Sequence, residues 1–285
     1  MQRKPEWMRV KLSSTAHLNK VNNLLHSYNL NTVCQAANCP NRLECFSSKT
    51  ATFMILGKEC TRHCKFCNVT SHPVEDVNPK EPENVAMAIK ELALKHAVIT
   101  SVTRDDLPDQ GAKHFADTVY AIRQYNPQTS IEVLTPDFNG DEACIKVVVD
   151  SKPDVYNHNI ETVESLYPNV RPEADYRQSL DVISTIKKLN PKMTTKSGIM
   201  LGLGENKDEV IETLKDLHKA GCDIVTIGQY MQPSSEHIDM VRYIHPDEFK
   251  QYEDIAYQIG FMAVASSPLV RSSYKALESL EKAKN

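Results

Sequence analysis

The sequence predicts an α/β protein built from parallel βα units. Two observations carry that expectation. Six short apolar runs of strand length alternate with segments whose apolar residues recur at helical spacing. Polar residues then collect where those runs end, and in a parallel α/β barrel the strand ends converge on the face where active sites assemble. At 285 residues the chain is long enough for one large domain of this kind, or for two small ones.

The elements follow in order. Arg3, Lys4, Arg9 and Lys11 surround Trp7, which reads either as a solvated arm with one aromatic anchor or as a docking surface for an acidic partner. Ser14 caps a helix running to about Ser27, with Leu18, Val21, Leu24 and Leu25 on one face. Thr52 to Leu56 is the first strand. Pro82 suits the first turn of a helix on which Val85, Ala88, Ile89 and Leu92 fall together. Ala97 to Val102 is a strand, Gly111 to Tyr125 a helix and Ser130 to Thr135 a strand; Asp141 then opens a helix ending near Val149. Asp154 to Asn159 is a strand, Tyr176 to Leu189 a helix and Lys196 to Leu201 a strand. Asn206 caps the next helix, with Glu209 as its capping-box partner and Gly221 at the stop. Ile224 to Gly228 is the sixth strand, and Pro246 to Ile259 a helix. Phe261 to Val270 is an apolar segment containing Pro268, after which Ser273 caps a helix through Leu277 and Leu280.

Composition excludes several classes. A net charge of −4 argues against bulk nucleic-acid binding. No apolar stretch approaches 18 residues, so no membrane span is expected. The start has basic residues but no apolar h-region. The expected location is therefore the cytoplasm, with a processed organellar form left open. Of eight cysteines, six fall in two tight groups. That distribution favours metal ligation in a reducing compartment over a disulfide framework. Cys144 and Cys222 stand beside apolar runs and read as buried, inert thiols.

The first strand leads directly into Cys60, Cys64 and Cys67, spaced C-x3-C-x2-C. Three thiolates in eight residues can hold three corners of an iron–sulfur cube and leave one iron open to chemistry; they cannot complete a structural zinc site unaided. Upstream, Cys34, Cys39 and Cys45 are spaced C-x4-C-x5-C among the turn residues Asn38, Pro40 and Asn41. This triplet suits either a second iron–sulfur cluster or a zinc knot completed by His17 or His26. The strand-end blocks are equally two-sided. Asn157 and Glu161 can hydrogen-bond a ribose or an ammonium group, or each other's neighbours. Arg171 can pair with a ligand carboxylate or form a surface ion pair. Gly202 and Gly204 form a turn whose backbone can approach a ligand closely. Gln229, Tyr230 and Gln232 can line a substrate channel, and His158 reads as a core histidine.

The C-x3-C-x2-C spacing, Phe66 before the last cysteine and the preceding strand resemble the radical S-adenosylmethionine (SAM) enzymes. Both cysteine groups together are similar to lipoyl synthases. So are Arg3-Lys-Pro-Glu-Trp7, Ser101 to Pro108, Thr135-Pro-Asp-Phe138, Tyr156 to Val163, Lys196 to Glu205, Gly228 to Pro233 and Arg271-Ser-Ser-Tyr274. The resemblance spans nearly the whole chain. It implies closure of the βα units into a partial (β/α)6 barrel of TIM type. Residues 51–259 would form that barrel, and 1–50 and 260–285 would be extensions capping its mouth. It further implies two 4Fe-4S clusters: one on Cys60, Cys64 and Cys67 that binds SAM, and an auxiliary one on Cys34, Cys39, Cys45 and a serine, Ser273 in preference to Ser272. Candidate SAM contacts are Phe66, Thr103, Asn157, Glu161, Arg171, Gly202, Gly204, Gln229 and Tyr230. The implied reaction inserts two sulfurs, drawn from the auxiliary cluster, at C6 and C8 of a protein-bound octanoyl-lysine. The implied partners are octanoylated lipoyl-carrier domains or H protein, a ferredoxin or flavodoxin as electron donor, and an iron–sulfur carrier protein, with a monomer as the working state.

Overall fold

The computed structural model of the chain describes residues 3–9, 16–37, 39, 41–47, 50–71 and 73–284, with the side chains of 16–20, 46 and 47 excepted. One sheet holds eight strands in strict sequence order: β1 (Asn31–Thr32), β2 (Thr50–Ile55), β3 (His96–Ser101), β4 (Ser130–Leu134), β5 (Val155–Asn157), β6 (Thr194–Leu201), β7 (Ile224–Gln229) and β8 (Ala263–Ser266). β1 runs antiparallel to β2, and every later neighbour is parallel. The helices are α1 (Ala16–Ser27), α2 (Val33–Ala36), α3 (Arg42–Ser47), α4 (Glu81–Leu92), α5 (Ala112–Tyr125), α6 (Glu142–Asp150), α7 (Tyr167–Val170), α8 (Tyr176–Leu189), α9 (Lys207–Lys219), α10 (Pro246–Ile259) and α11 (Ala276–Lys284). Parallel strands in unbroken order, joined by crossovers of one hand, put their helices on one side of the sheet. The sheet curls the other way into a barrel that stays open, because its first and last strands do not pair.

Local chemistry sets the helix ends. Asn206 accepts from the Glu209 amide while the Glu209 side chain accepts from the Asn206 amide, so the expected capping box is present. Asp141 caps α6 and Asp175 caps α8. Strands covered on both faces are mostly apolar. Phe53, Ile55, Ile99, Val133 and Ile227 are all fully buried, each contributing about 1.5–3 kcal/mol of transfer free energy.

Three differences from the sequence reading have physical causes. β8 lies in the segment read as a plain apolar extension. Pro268 follows the strand by two residues, where its missing N–H costs the ladder nothing. β1 has only two residues, too few to show any alternation. α11 begins at Ala276, three residues beyond Ser273, so Ser273 is not its cap. The Ser14 cap and the Leu18 side chain lie outside the described residues, as do Asn38 and Pro40. Around them Cys34 sits in α2 and Cys45 in α3, one short helix each where a turn was expected.

In the barrel interior Lys196 and Glu132 form a buried ion pair. Lys196 Nζ lies 3.0 Å from both Glu132 carboxylate oxygens, and neither side chain is exposed. Burial alone would raise the Glu132 pKa, but the Lys196 charge together with His96 and the Asn157 hydrogen bond outweighs it and holds the group at about 2.

Candidate functional site

The loop after β2 begins with two left-handed residues, Leu56 at φ 68° and Gly57 at φ 102°. Leu56 is held there from both sides, donating its N–H to Glu81 Oε2 at 2.8 Å and accepting at its carbonyl from Arg104 Nη1 at 3.2 Å. Cys60 follows, and its sulfur accepts backbone N–H groups from Thr103 at 3.3 Å and Arg62 at 3.5 Å. Arg62 pins the loop to the ends of β3 and β4. Its guanidinium donates to Asp105 at 2.8 and 2.9 Å, to Asp137 at 2.8 Å and to Asn139 at 2.9 Å. The Lys65 amide bonds to the Val170 carbonyl, and His237 Nε2 lies 3.1 Å from the Cys67 carbonyl.

The second triplet is assembled by both ends of the chain. Cys34 packs against Thr52 of β2. Asn41 Nδ2 donates to the Leu269 carbonyl at 2.6 Å, and Tyr274 Oη to Glu44 Oε1 at 3.0 Å. Gly228 lets the C-terminal segment pass, since a Cβ there would stand 2.2 Å from the Val270 carbonyl oxygen. Residues 270–274 are thereby laid across the barrel mouth beside Cys39 and Cys45.

All six clustered cysteines, Ser272 and Ser273 line one cavity of about 390 Å³. Its remaining wall is largely apolar, with Met54, Val102, Leu134 and Ile199. Burial pushes the thiols up: Cys34 to about 11, Cys45 and Cys67 to about 12, and Cys64 in the same direction. Buried thiols surrounded by backbone donors suit a cationic iron–sulfur unit, whose positive charge compensates deprotonation of its ligands. Among the described residues no three His, Cys, Asp or Glu side chains converge as they would on a single ion. Cys144 and Cys222 are buried elsewhere, each with its thiol on a backbone carbonyl.

The expected SAM contacts divide. Phe66, Thr103, Glu161, Arg171, Gln229 and Tyr230 line the cavity; Asn157, Gly202 and Gly204 do not. Asn157 lies behind the wall, with its amide hydrogens on Glu132 and Ser272. Gly202 packs against the loop after β7, where a Cβ would stand 2.6 Å from the Arg242 carbonyl oxygen. Gln229 spends its side chain on that loop, donating to the Leu201, Tyr230 and Arg242 carbonyls and accepting from the Ile244 amide. Arg171 is buried, and its Nε has no partner. Among the described residues it forms no ion pair at contact; its Nη1 donates to the Asn159 carbonyl at 3.2 Å and to Tyr167 Oη at 3.1 Å, and the nearby Glu161 carboxyl acts on it through space. Glu161 stands beside it at φ 64°, its carboxyl pushed up by burial against the pull of Arg171.

Arg62 and Asn159 escaped the sequence reading. A signal for Arg62 was present: acidic residues end two strands, at Asp105 and Asp137, and one arginine stands between the cysteines. Burial outweighed by Arg62 leaves Asp137 at about 2, and burial reinforced by Arg171 lowers His158 to about 4. Both shifts are downward. Their stabilisation is present above the ordinary values and is lost as pH falls through the folded ones. Cluster-free protein is therefore expected to lose melting temperature below about pH 6.5, where the unfolded chain protonates His158 and the folded one holds it neutral, and again below about pH 4, where the unfolded chain protonates Asp137 and the folded one keeps it charged. Thermal melts across that range check this, and His158→Gln should flatten the upper step.

Residues 54–228 match the Radical SAM superfamily. A lipoyl synthase from Alkaliphilus metalliredigens is 56% identical over 99% of this chain and 97% of its own. Another from Caldanaerobacter subterraneus subsp. tengcongensis is 54% identical over 96% of each. The chain belongs to the lipoyl synthase family. Solved structures share this chain's fold at low identity. Methylornithine synthase (PylB) aligns with a TM-score of 0.58 at 12% identity, over 89% of this chain and 79% of its own. Streptococcus suis SuiB bound to S-adenosylmethionine aligns with 0.59 at 11%, over 79% and 53%. The superfamily match contains Cys60, Cys64 and Cys67 but ends at Gly228, whereas the lipoyl synthase match spans almost the entire chain. No helix among the described residues is long and apolar enough to cross a membrane.

Proposed function

We infer that the protein inserts two sulfur atoms at C6 and C8 of an octanoyl chain carried on a lysine of a lipoyl-carrier domain or H protein. The observation that carries this is the single cavity faced by both cysteine triplets and the C-terminal serine pair. When bound, one 4Fe-4S cluster supplies the electron that splits SAM and a second supplies sulfur. Cys60, Cys64 and Cys67 would hold the first; Cys34, Cys39, Cys45 and Ser273 the second. Ser273 is favoured over Ser272 because the Ser272 hydroxyl already accepts from Asn157 and donates to Asn159, whereas Ser273 lines the cavity with no hydrogen bond among the described residues. Arg171 provides the buried cation for the SAM carboxylate, and Glu161 an acceptor for its ammonium or ribose hydroxyls. The apolar wall receives the octanoyl chain and keeps water from the reacting carbon.

A ferredoxin or flavodoxin would deliver electrons, and an iron–sulfur carrier protein would restore the consumed cluster. Eight free cysteines fit the reducing cytoplasm. Anaerobic reconstitution tests the reading. Wild type should hold about eight irons and the Cys60→Ala, Cys64→Ala, Cys67→Ala triple variant about four. Only wild type should add two sulfurs to an octanoylated carrier, releasing two 5'-deoxyadenosines per lipoyl group. About four irons in wild type and almost none in the variant would remove the second cluster.

A further inference from the structure

The C-terminal segment meets the barrel through one polar contact that metal ligation does not explain. Ser272 Oγ sits between two amides at the end of β5. It accepts from Asn157 Nδ2 at 2.9 Å and donates to Asn159 Oδ1 at 2.9 Å. Asn157 cannot turn. Its Nδ2 also donates to Glu132 Oε1 at 2.9 Å, and a flipped amide would set oxygen against that carboxylate. Glu132 is itself fixed by Lys196. On the other side, Asn159 Nδ2 donates to Glu161 Oε1 at 2.9 Å. Asn159 fits because residue 198 is glycine: a Cβ there would stand 2.9 Å from Asn159 Oδ1 and 2.7 Å from Thr226 Oγ1. Asn157, Ser272, Asn159 and Glu161 thus form an unbroken chain. It runs from the ion pair in the barrel interior to the carboxyl beside Arg171, with each of its hydrogen bonds consistent in sense; Asn157 Oδ1 alone is left without a partner.

We propose that Ser272 is a positioning residue that presents its neighbour Ser273 to the second cysteine triplet. Through Asn159, the placement of the C-terminal segment and that of Glu161 depend on each other. The inference rests on the two-site reading above and adds a coupling between the sites. Removing the Ser272 hydroxyl takes an acceptor from the buried Asn157 amide and a donor from Asn159 Oδ1, and loosens Asn159 beside Glu161. An order shared by both sites means that loosening one weakens binding at the other.

The test is Ser272→Ala, compared with Ser272→Thr, which keeps the hydroxyl, and with Asn159→Ala, which cuts the chain from the barrel side. Three quantities are measured: iron per chain after anaerobic reconstitution, SAM affinity by equilibrium dialysis, and backbone amide exchange of residues 268–274 in cluster-free protein. For Ser272→Ala, iron should fall from about eight toward four, SAM should bind about fivefold more weakly, and the segment should exchange faster. Thermal melts report whether the fold is retained. Ser272→Thr should restore all three values, and Asn159→Ala should reproduce the losses. Wild-type iron, affinity and exchange in Ser272→Ala overturn the inference alone. Wild type that takes up only about four irons overturns the two-site reading, and the inference with it.

Discussion

Cys34→Ala should cleave SAM at close to the wild-type rate and form no lipoyl product. Cys34 is buried in α2 against Thr52, on the side of the cavity built by the chain ends. The loop of Cys60, Cys64 and Cys67 is held by other means: the Arg62 fork on Asp105 and Asp137, and the Leu56 turn between Glu81 and Arg104. None of these groups touches Cys34, and the Ser272 hydrogen bonds to Asn157 and Asn159 do not pass through it, so the SAM site should keep its geometry when Cys34 is lost. Iron should fall from about eight to about four per chain. 5'-Deoxyadenosine and lipoyl product, measured in the same reaction mixture, separate the two halves of the chemistry. Product at the wild-type level would remove the triplet of Cys34, Cys39 and Cys45 from the role of sulfur donor.

Lys196→Met should destabilise the protein by about 3–5 kcal/mol, because it strands the Glu132 carboxylate in the barrel interior. Both side chains are essentially inaccessible, and the ammonium lies 3.0 Å from each carboxylate oxygen. His96 Nε2, at 3.7 Å, and the Asn157 amide at 2.9 Å remain, but neither replaces a full charge at contact. For a chain of this size the loss corresponds to a fall in melting temperature on the order of 10 °C. Adding Glu132→Leu should recover much of it, since removing both charges abolishes the stranded one. Melts at pH 7 of wild type, the single and the double variant decide the matter. A single variant that melts with wild type would mean that the pair has no net weight.

The βα order was legible because each parallel strand is covered on both faces and reads as an apolar run bounded by helical periodicity. Helix ends were legible where one side chain does the capping, as at Asn206 and Asp141. What stayed hidden depends on partners far apart in sequence. Asn157 looked like a ligand contact, yet its amide turns inward to Glu132 and outward to Ser272. Gln229 looked like a channel residue; it does line the cavity, but its amide is spent on the loop that follows β7. The two glycines at 202 and 204 suggested close approach to a ligand; the close approach at Gly202 is to the protein's own backbone. Polar residue type and strand-end position identify the mouth of the barrel, but not which way each side chain faces there.

The contacts that join Asn41 to Leu269 and Glu44 to Tyr274 span 228 and 230 residues. They impose an order in time as well as in space. A chain emerging from the ribosome makes its cysteines first and its C-terminal segment last. Until residues 269–274 have been made, the thiols of Cys34, Cys39 and Cys45 are present without the strap that completes their surroundings. The SAM site draws on the cysteine loop and on strands already made by Gln229, so it can take shape earlier. The surroundings of the second triplet are therefore completed late, and removal of residues 269–274 would take away the strap while leaving most of the barrel's sequence in place.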